Sequence, residues 1–282
     1  MLKLLPMLQL IFLMLSVLSL SFCGEIVATT YPVYYPLKYL VGEKHRLEVL
    51  VRSQADPHHY ELTPKDAERL LGANLVMTLG LESWEWRLLK NLPKGKVVTL
   101  SEGINLLKRG SFPDPHVWLS PKEYRVVVRN IKDALVRWDP SQRAYYEEKY
   151  SQYLQRLNSL DREFESTLKT CSYRTLVSTH RAWDYLSRDY GIKTLSLSGV
   201  HAEEEPKPSE IKAIVQTVKR EGLKYIFAEV GHDRKVADFI ASQTGTRVLM
   251  LNSSIFPQLN SDDYFSIMER NLRALKEGLG CR

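Results

Sequence analysis

Short runs of β-branched and aliphatic residues alternate with stretches in which apolar positions recur three or four apart. The alternation occurs twice along the chain. In the first half, residues 26–30, 47–51, 75–79 and 97–100 read as buried strands; in the second, residues 174–179, 193–197, 225–229 and 247–251 read likewise. The helices between them carry clear punctuation. Thr63 is a good N-cap, Pro64 suits the first helical position, Asp66 favours the first turn, and Gly72 stops the helix. Pro208 and Ser209 open another, with Ile211, Ile214, Val215 and Val218 on one face and Gly222 past its end. Strands alternating with helices build parallel sheets covered on both faces. The expected fold is therefore α/β: two lobes, each a roughly four-stranded parallel sheet with flanking helices.

The stretch between the two sets has another period. From Asp139-Pro140 the chain runs to Lys169 without a further glycine or proline, and Tyr146, Tyr150, Tyr153, Leu157, Leu160, Phe164 and Leu168 form a helical stripe. About thirty residues at 1.5 Å each make a rod of about 45 Å, long enough to cross the molecule. The predicted organisation is a first lobe over 24–138, one long linking helix over 139–169 and a second lobe over 170–282. Residues 1–23 stand apart from all of this. Lys3 precedes an apolar stretch from 4 to 20, followed by small residues such as Ser21, which describes a secretory signal peptide. Pro6 and Gln9 leave it marginal as a membrane span of about 20 residues. Lipidation of Cys23 is the alternative ending, which the bulky Phe22 before it fits poorly.

Composition adds exclusions. With 44% hydrophobic and 26% charged residues, the disordered, collagen and coiled-coil classes are out. A net charge of +6 arises from 39 basic against 33 acidic residues, interspersed and without a basic run carrying aromatics, so no nucleic-acid partner is expected. Of the three cysteines, Cys23 belongs to the leader. In an oxidising compartment Cys171 and Cys281 are expected to form a disulfide rather than remain as two buried thiols.

Histidine placement carries the candidate chemistry. His58 lies just after the second strand in Asp56-Pro57-His58-His59-Tyr60, and His116 stands in Asp114-Pro115-His116-Val117-Trp118. His180 lies at the carboxyl end of the first strand of the second lobe, in Ser178-Thr179-His180-Arg181-Ala182-Trp183. Open parallel sheets bind ligands at the carboxyl ends of their strands. Two facing lobes would bring the three imidazoles together, a donor set that favours zinc over calcium or magnesium. His45, His59, His201 and His232 are expected on the surface, with His59 and His201 as weak capture sites near an opening.

The same segments, with Gly80-Leu81-Glu82-Ser83-Trp84, Glu205-Pro206-Lys207-Pro208-Ser209 and Phe227-Ala228-Glu229, span the mature chain in order. In them the sequence resembles the periplasmic solute-binding proteins of bacterial zinc and manganese ABC importers. The resemblance implies two parallel-sheet lobes joined by one long helix and one metal held between them by His58, His116 and His180. Members that prefer manganese generally carry a carboxylate where His180 stands, so Zn2+ is the expected cargo and Mn2+ the lesser alternative. The histidine-rich loop of some zinc members is missing from residues 101–113. Where the family usually places an aspartate ligand, this chain has Asn252. An amide is a weaker zinc ligand, so the expected site is three histidines plus water, with Asn252 orienting the water; Glu229, Glu203 and Glu204 are candidates for supplying charge. The implied protein is a monomeric, periplasmic receptor that serves a membrane permease and is not an enzyme. A manganese receptor or adhesin of the same fold is the alternative. A secreted three-histidine zinc hydrolase is the rival from another class, disfavoured because no H-E-x-x-H helix or nucleophile elbow occurs.

Overall fold

The structure is a computed structural model that describes residues 23–52, 58, 60–110, 112–197 and 207–282. The leader expected over 1–23 lies outside the described residues except for Cys23, which is exposed. No described helix is long and apolar enough to cross a membrane.

In chain order the first lobe comprises β1 (Glu25–Ala28), α1 (Tyr31–Val41), β2 (Arg46–Val49), α2 (Pro64–Gly72), β3 (Leu75–Thr78), α3 (Ser83–Asn91) and β4 (Val97–Thr99). A small antiparallel ribbon, β5 (Lys108–Arg109) with β6 (Phe112–Pro113), leads to α4 (Pro121–Trp138) and α5 (Arg143–Lys169). The second lobe follows with β7 (Thr175–Ser178), α6 (Asp184–Tyr190), β8 (Lys193–Ser196), α7 (Pro208–Glu221), β9 (Tyr225–Glu229), α8 (Lys235–Thr244), β10 (Arg247–Leu251) and α9 (Tyr264–Gly278). Both main sheets are four-stranded and parallel, ordered β2-β1-β3-β4 and β10-β9-β7-β8.

Burial follows strand position. The central strands β3 and β7 are buried at every residue, and β1 and β9 at all but their first, whereas the edge strands β2, β4 and β8 are mostly half-buried or exposed. That is the signature of a sheet with helices on both faces. The α2 start is built as its sequence prescribes: the Thr63 hydroxyl accepts from Asp66 N, and the Asp66 carboxylate accepts from Thr63 N in return.

The linking helix α5 has 27 residues, about 40 Å of helix. It buries Tyr146, Tyr153, Leu157, Leu160, Phe164 and Leu168, while α4 lies alongside it. These side chains join Val127 and Ile131 of α4, Leu37 and Leu40 of α1, and Ile267 and Leu272 of α9 in one apolar core. Because this core runs through the helix pair into both lobes, the lobes share packing rather than meeting only at their rims. At the far end the Cys171 and Cys281 sulfurs are bonded, tying the C-terminus to the end of α5. Ser172 N and Tyr173 N add hydrogen bonds to the Gly280 and Leu279 carbonyls. Gly278 lets α9 approach β9 closely, since a Cβ there would stand 2.3 Å from the Phe227 ring.

His45 departs from its expected surface position. It is buried at the joint between the first lobe and α5, 2.7 Å from the Tyr146 hydroxyl and 3.3 Å from the Asp139 carboxylate, and its Nδ1 accepts from Gly24 N. A sequence scan sees only a histidine in a polar turn, Gly42–Arg46; its side-chain partners Tyr146 and Asp139 lie about a hundred residues away. Burial pushes its pKa down, against the pull of Asp139.

Candidate metal centre

His58, His116 and His180 come from three segments that converge between the lobes. His58 follows β2, His116 caps a short 3-10 turn (Val117–Leu119), and His180 follows β7. All three are buried, at 5%, 1% and 3% exposure, and each offers a ring nitrogen within 4.8 Å of the others. Their ring centres are 4.9, 5.0 and 5.5 Å apart, and His58 Nε2 lies 3.1 Å from His116 Nε2. Three imidazoles bound tetrahedrally at about 2.05 Å would have nitrogens about 3.3 Å apart and ring centres about 5 Å apart. The trio already stands close to that geometry.

The outer nitrogens explain how the rings are aimed. His58 Nδ1 donates to Glu82 Oε1 at 2.7 Å, and His116 Nδ1 donates to Asp114 Oδ1 at 2.8 Å. A carboxylate only accepts, so the proton sits on Nδ1 in both rings and both Nε2 atoms carry lone pairs. Two such lone pairs facing each other at 3.1 Å repel unless a cation stands between them. Burial pushes the His116 pKa down although Asp114 pulls it up, which favours the neutral, ligating form. The His180 Nδ1 lies 3.4 Å from the Ser253 hydroxyl, and Ser178 donates to the His180 carbonyl.

Glu82 and Asp114 also settle the charge problem that three neutral ligands pose. One carboxylate behind each of two imidazoles offsets the +2 of a zinc ion without touching it. Glu85 holds the Glu82 loop in place. This buried carboxylate accepts from the Thr29 and Thr78 hydroxyls and from Leu81 N and Glu82 N, and burial pushes its pKa up.

The two sides of the cleft are latched across the site. Trp118 Nε1 donates to the Ser253 carbonyl at 2.6 Å, Tyr264 donates to the Trp118 carbonyl, and Tyr185 donates to the Asp114 carbonyl, both at 2.8 Å. A narrow cleft beside the trio is lined by Tyr31, Leu81, Glu82, Pro115, Trp118 and Phe256, with Tyr31 and Phe256 edge to face at 5.3 Å.

The remaining candidates are placed differently. Asn252 is buried, but its amide donates to the Phe256 carbonyl and its oxygen accepts from Ser254, so its side chain is engaged within its own loop. Glu229 is also buried and accepts from Trp183 Nε1 and Ser253 N at 3.0 Å; burial pushes its pKa up to about 7. It ties the His180 loop to the loop after β10. His232 is half-buried, with its ring centre 6.4 Å from that of His180. His59, His201, Glu203 and Glu204 lie outside the described residues. The roles of Glu82, Asp114 and Glu85 escape a sequence scan. Asp114 could have been found from its place two residues before His116, but nothing in the spacing connects Glu82 to a histidine 24 positions earlier.

The high-affinity zinc uptake system protein ZnuA of Bacillus subtilis is 30% identical over 278 residues, covering 90% of this chain and 87% of that protein. The zinc-binding lipoprotein AdcA of Streptococcus pneumoniae is also 30% identical across 90% of this chain, which spans only 55% of that longer relative. Among solved structures, the Zn(II)-bound ZnuA-like domain of that AdcA superposes with a TM-score of 0.80 at 30% identity, covering 91% of this chain and 99% of the domain. The laminin binding protein of Streptococcus agalactiae gives 0.84 at 29% identity with the same coverage. TroA of Treponema pallidum, at 23% identity and 0.85, shares the fold. The family model described as zinc-uptake complex component A, periplasmic, matches residues 26–278, and the chain belongs to that family.

Proposed function

We propose that this chain is an extracytoplasmic receptor that binds one Zn2+ between its lobes and passes it to the permease of an ABC importer. The observation that carries the proposal is the pair of Nε2 atoms 3.1 Å apart, each ring fixed by its own carboxylate, with His180 completing the trio. Three buried imidazoles favour zinc over manganese, calcium and magnesium by donor type. Residues 1–23 act as the export signal, 24–138 and 170–282 form the two lobes, and 139–169 joins them; the receptor works as a monomer. Neither Glu82 nor Asp114 is placed to act as a catalytic base at an ion-bound water, since each is committed to an outer histidine nitrogen. This supports a binding protein over a hydrolase.

The shared core through α4 and α5 opposes wide rotation of one lobe on the other. Release therefore comes from movement of the loops that carry the ligands. The test is uptake of radioactive zinc by cells lacking the gene in chelator-treated medium. Restoration by the wild-type chain, and not by a His58→Ala, His116→Ala, His180→Ala triple variant, is the expected result. Equal uptake with the triple variant would contradict the proposal.

A further inference from the structure

We propose that His232 is the fourth ligand of the bound ion, a ring that closes over the metal from the solvent side after the buried trio has taken it. The inference rests on the zinc-binding function proposed above. A zinc ion in a protein site takes four ligands, and His58, His116 and His180 supply three. Among the described residues, Glu82 and Asp114 are committed to the outer nitrogens, Glu229 to Trp183 and Ser253, and Asn252 to Phe256 and Ser254. No further negative charge is called for, because the two outer carboxylates already balance the ion. A neutral fourth ligand is sufficient, and imidazole is one.

The position of His232 fits that role. It stands in the loop between β9 and α8, beside His180 and half-buried where the trio is fully buried. Its ring centre is 6.4 Å from that of His180, against 5.0 and 5.5 Å for the other two partners of that ring. Sharing a tetrahedral ion with His180 requires this one ring-centre distance to close by about 1.4 Å, with the ring also swinging in toward His58 and His116. Rotation about the side-chain bonds of a half-exposed histidine covers that distance on a fast timescale. Gly231, immediately before it, turns the chain with φ of +86°, and the His232 N–H makes a long hydrogen bond to the Glu229 carbonyl at 3.3 Å.

The test uses the full mature chain, zinc, and cobalt as a spectroscopic substitute for zinc. His232→Ala and His232→Gln are compared with wild type by chelator competition and by the visible absorption of the cobalt form, with circular dichroism to verify the fold. The expected result is at least tenfold weaker zinc binding, a changed cobalt spectrum, and recovery of the wild-type spectrum on adding free imidazole to His232→Ala. Wild-type affinity and spectrum in both variants would overturn the proposal, as would weaker binding with an unchanged spectrum. If instead wild-type protein binds no zinc, the proposed function fails, and not only this ligand assignment.

Discussion

Replacing Glu82 by glutamine removes one charge and, with the second carboxylate oxygen, an acceptor for Glu85 N at the start of α3. The Gln oxygen can still accept from His58 Nδ1, so the ring keeps its tautomer and aim. The 2.7 Å hydrogen bond, the width of the imidazole and a metal–nitrogen bond of about 2 Å together place the Glu82 carboxylate about 6 Å from the ion. At that distance one negative charge attracts a doubly charged ion by about 5 kcal/mol at an effective dielectric of about 20. Solvent reduces this, since the Glu82 side chain is 14% exposed. Loss of such outer partners costs about 10- to 100-fold in metal affinity. Glu82→Gln should therefore weaken zinc binding by about 10- to 100-fold, and Glu82→Ala, which also frees the ring, by more. Competition with a chromophoric chelator at fixed pH and ionic strength reads both. A Glu82→Gln affinity within twofold of wild type would refute the charge-balancing role assigned to the outer carboxylates.

Glu85→Gln probes the layer beneath. A glutamine can turn its oxygen to Leu81 N and Glu82 N and its amide to the Thr29 and Thr78 hydroxyls, satisfying each group while removing a buried charge. Because burial raises the Glu85 pKa in the folded state, its stability contribution is complete below the ordinary carboxylate value and is lost as pH rises through the raised one. Metal-free wild type should lose stability over that window in urea titrations and Glu85→Gln should lose less; parallel profiles would exclude Glu85 as the source. Replacing Cys171 and Cys281 together by serine opens a loop of 110 residues and should cost up to about 4–5 kcal/mol of unfolding free energy, with an unchanged urea midpoint as the contrary result. Asn252→Asp sets a carboxylate against the Phe256 carbonyl in place of an amide donor, so it should destabilise by about 1–3 kcal/mol without tightening zinc binding. Tighter binding in that variant would mean that residue 252 faces the ion.

The sequence carried the architecture further than it carried the site. Parallel strands 225–229 and 247–251 were legible to the residue: the first because a strand buried on both faces is a continuous apolar run, the second, an edge strand, because its short aliphatic run is bounded by turn residues. Strands 26–30 and 47–51 were each read two residues too far; in the first, Thr29 and Thr30 continue the β-branched pattern while already turning to Glu85 and to the start of α1. His58 and His180 stood out from their positions after strands, and His116 from its Asp-Pro-His-Val-Trp segment; the structure brings the three together. What lay beyond reach was every role defined by a partner distant in the chain: Glu82 behind His58, Asp139 and Tyr146 around His45, Trp118 against Ser253. Hydrophobic period reports which face is buried, but it does not report which buried polar groups face one another.

Zinc titration of the purified, metal-free mature chain by competition, run beside single His58→Ala, His116→Ala and His180→Ala variants, tests whether the three histidines bind the ion. One Zn2+ per chain should bind in preference to Mn2+, and each variant should bind at least tenfold more weakly while keeping its circular dichroism spectrum. Wild-type zinc affinity in any of the three folded variants, or preference for Mn2+ over Zn2+, would contradict the account.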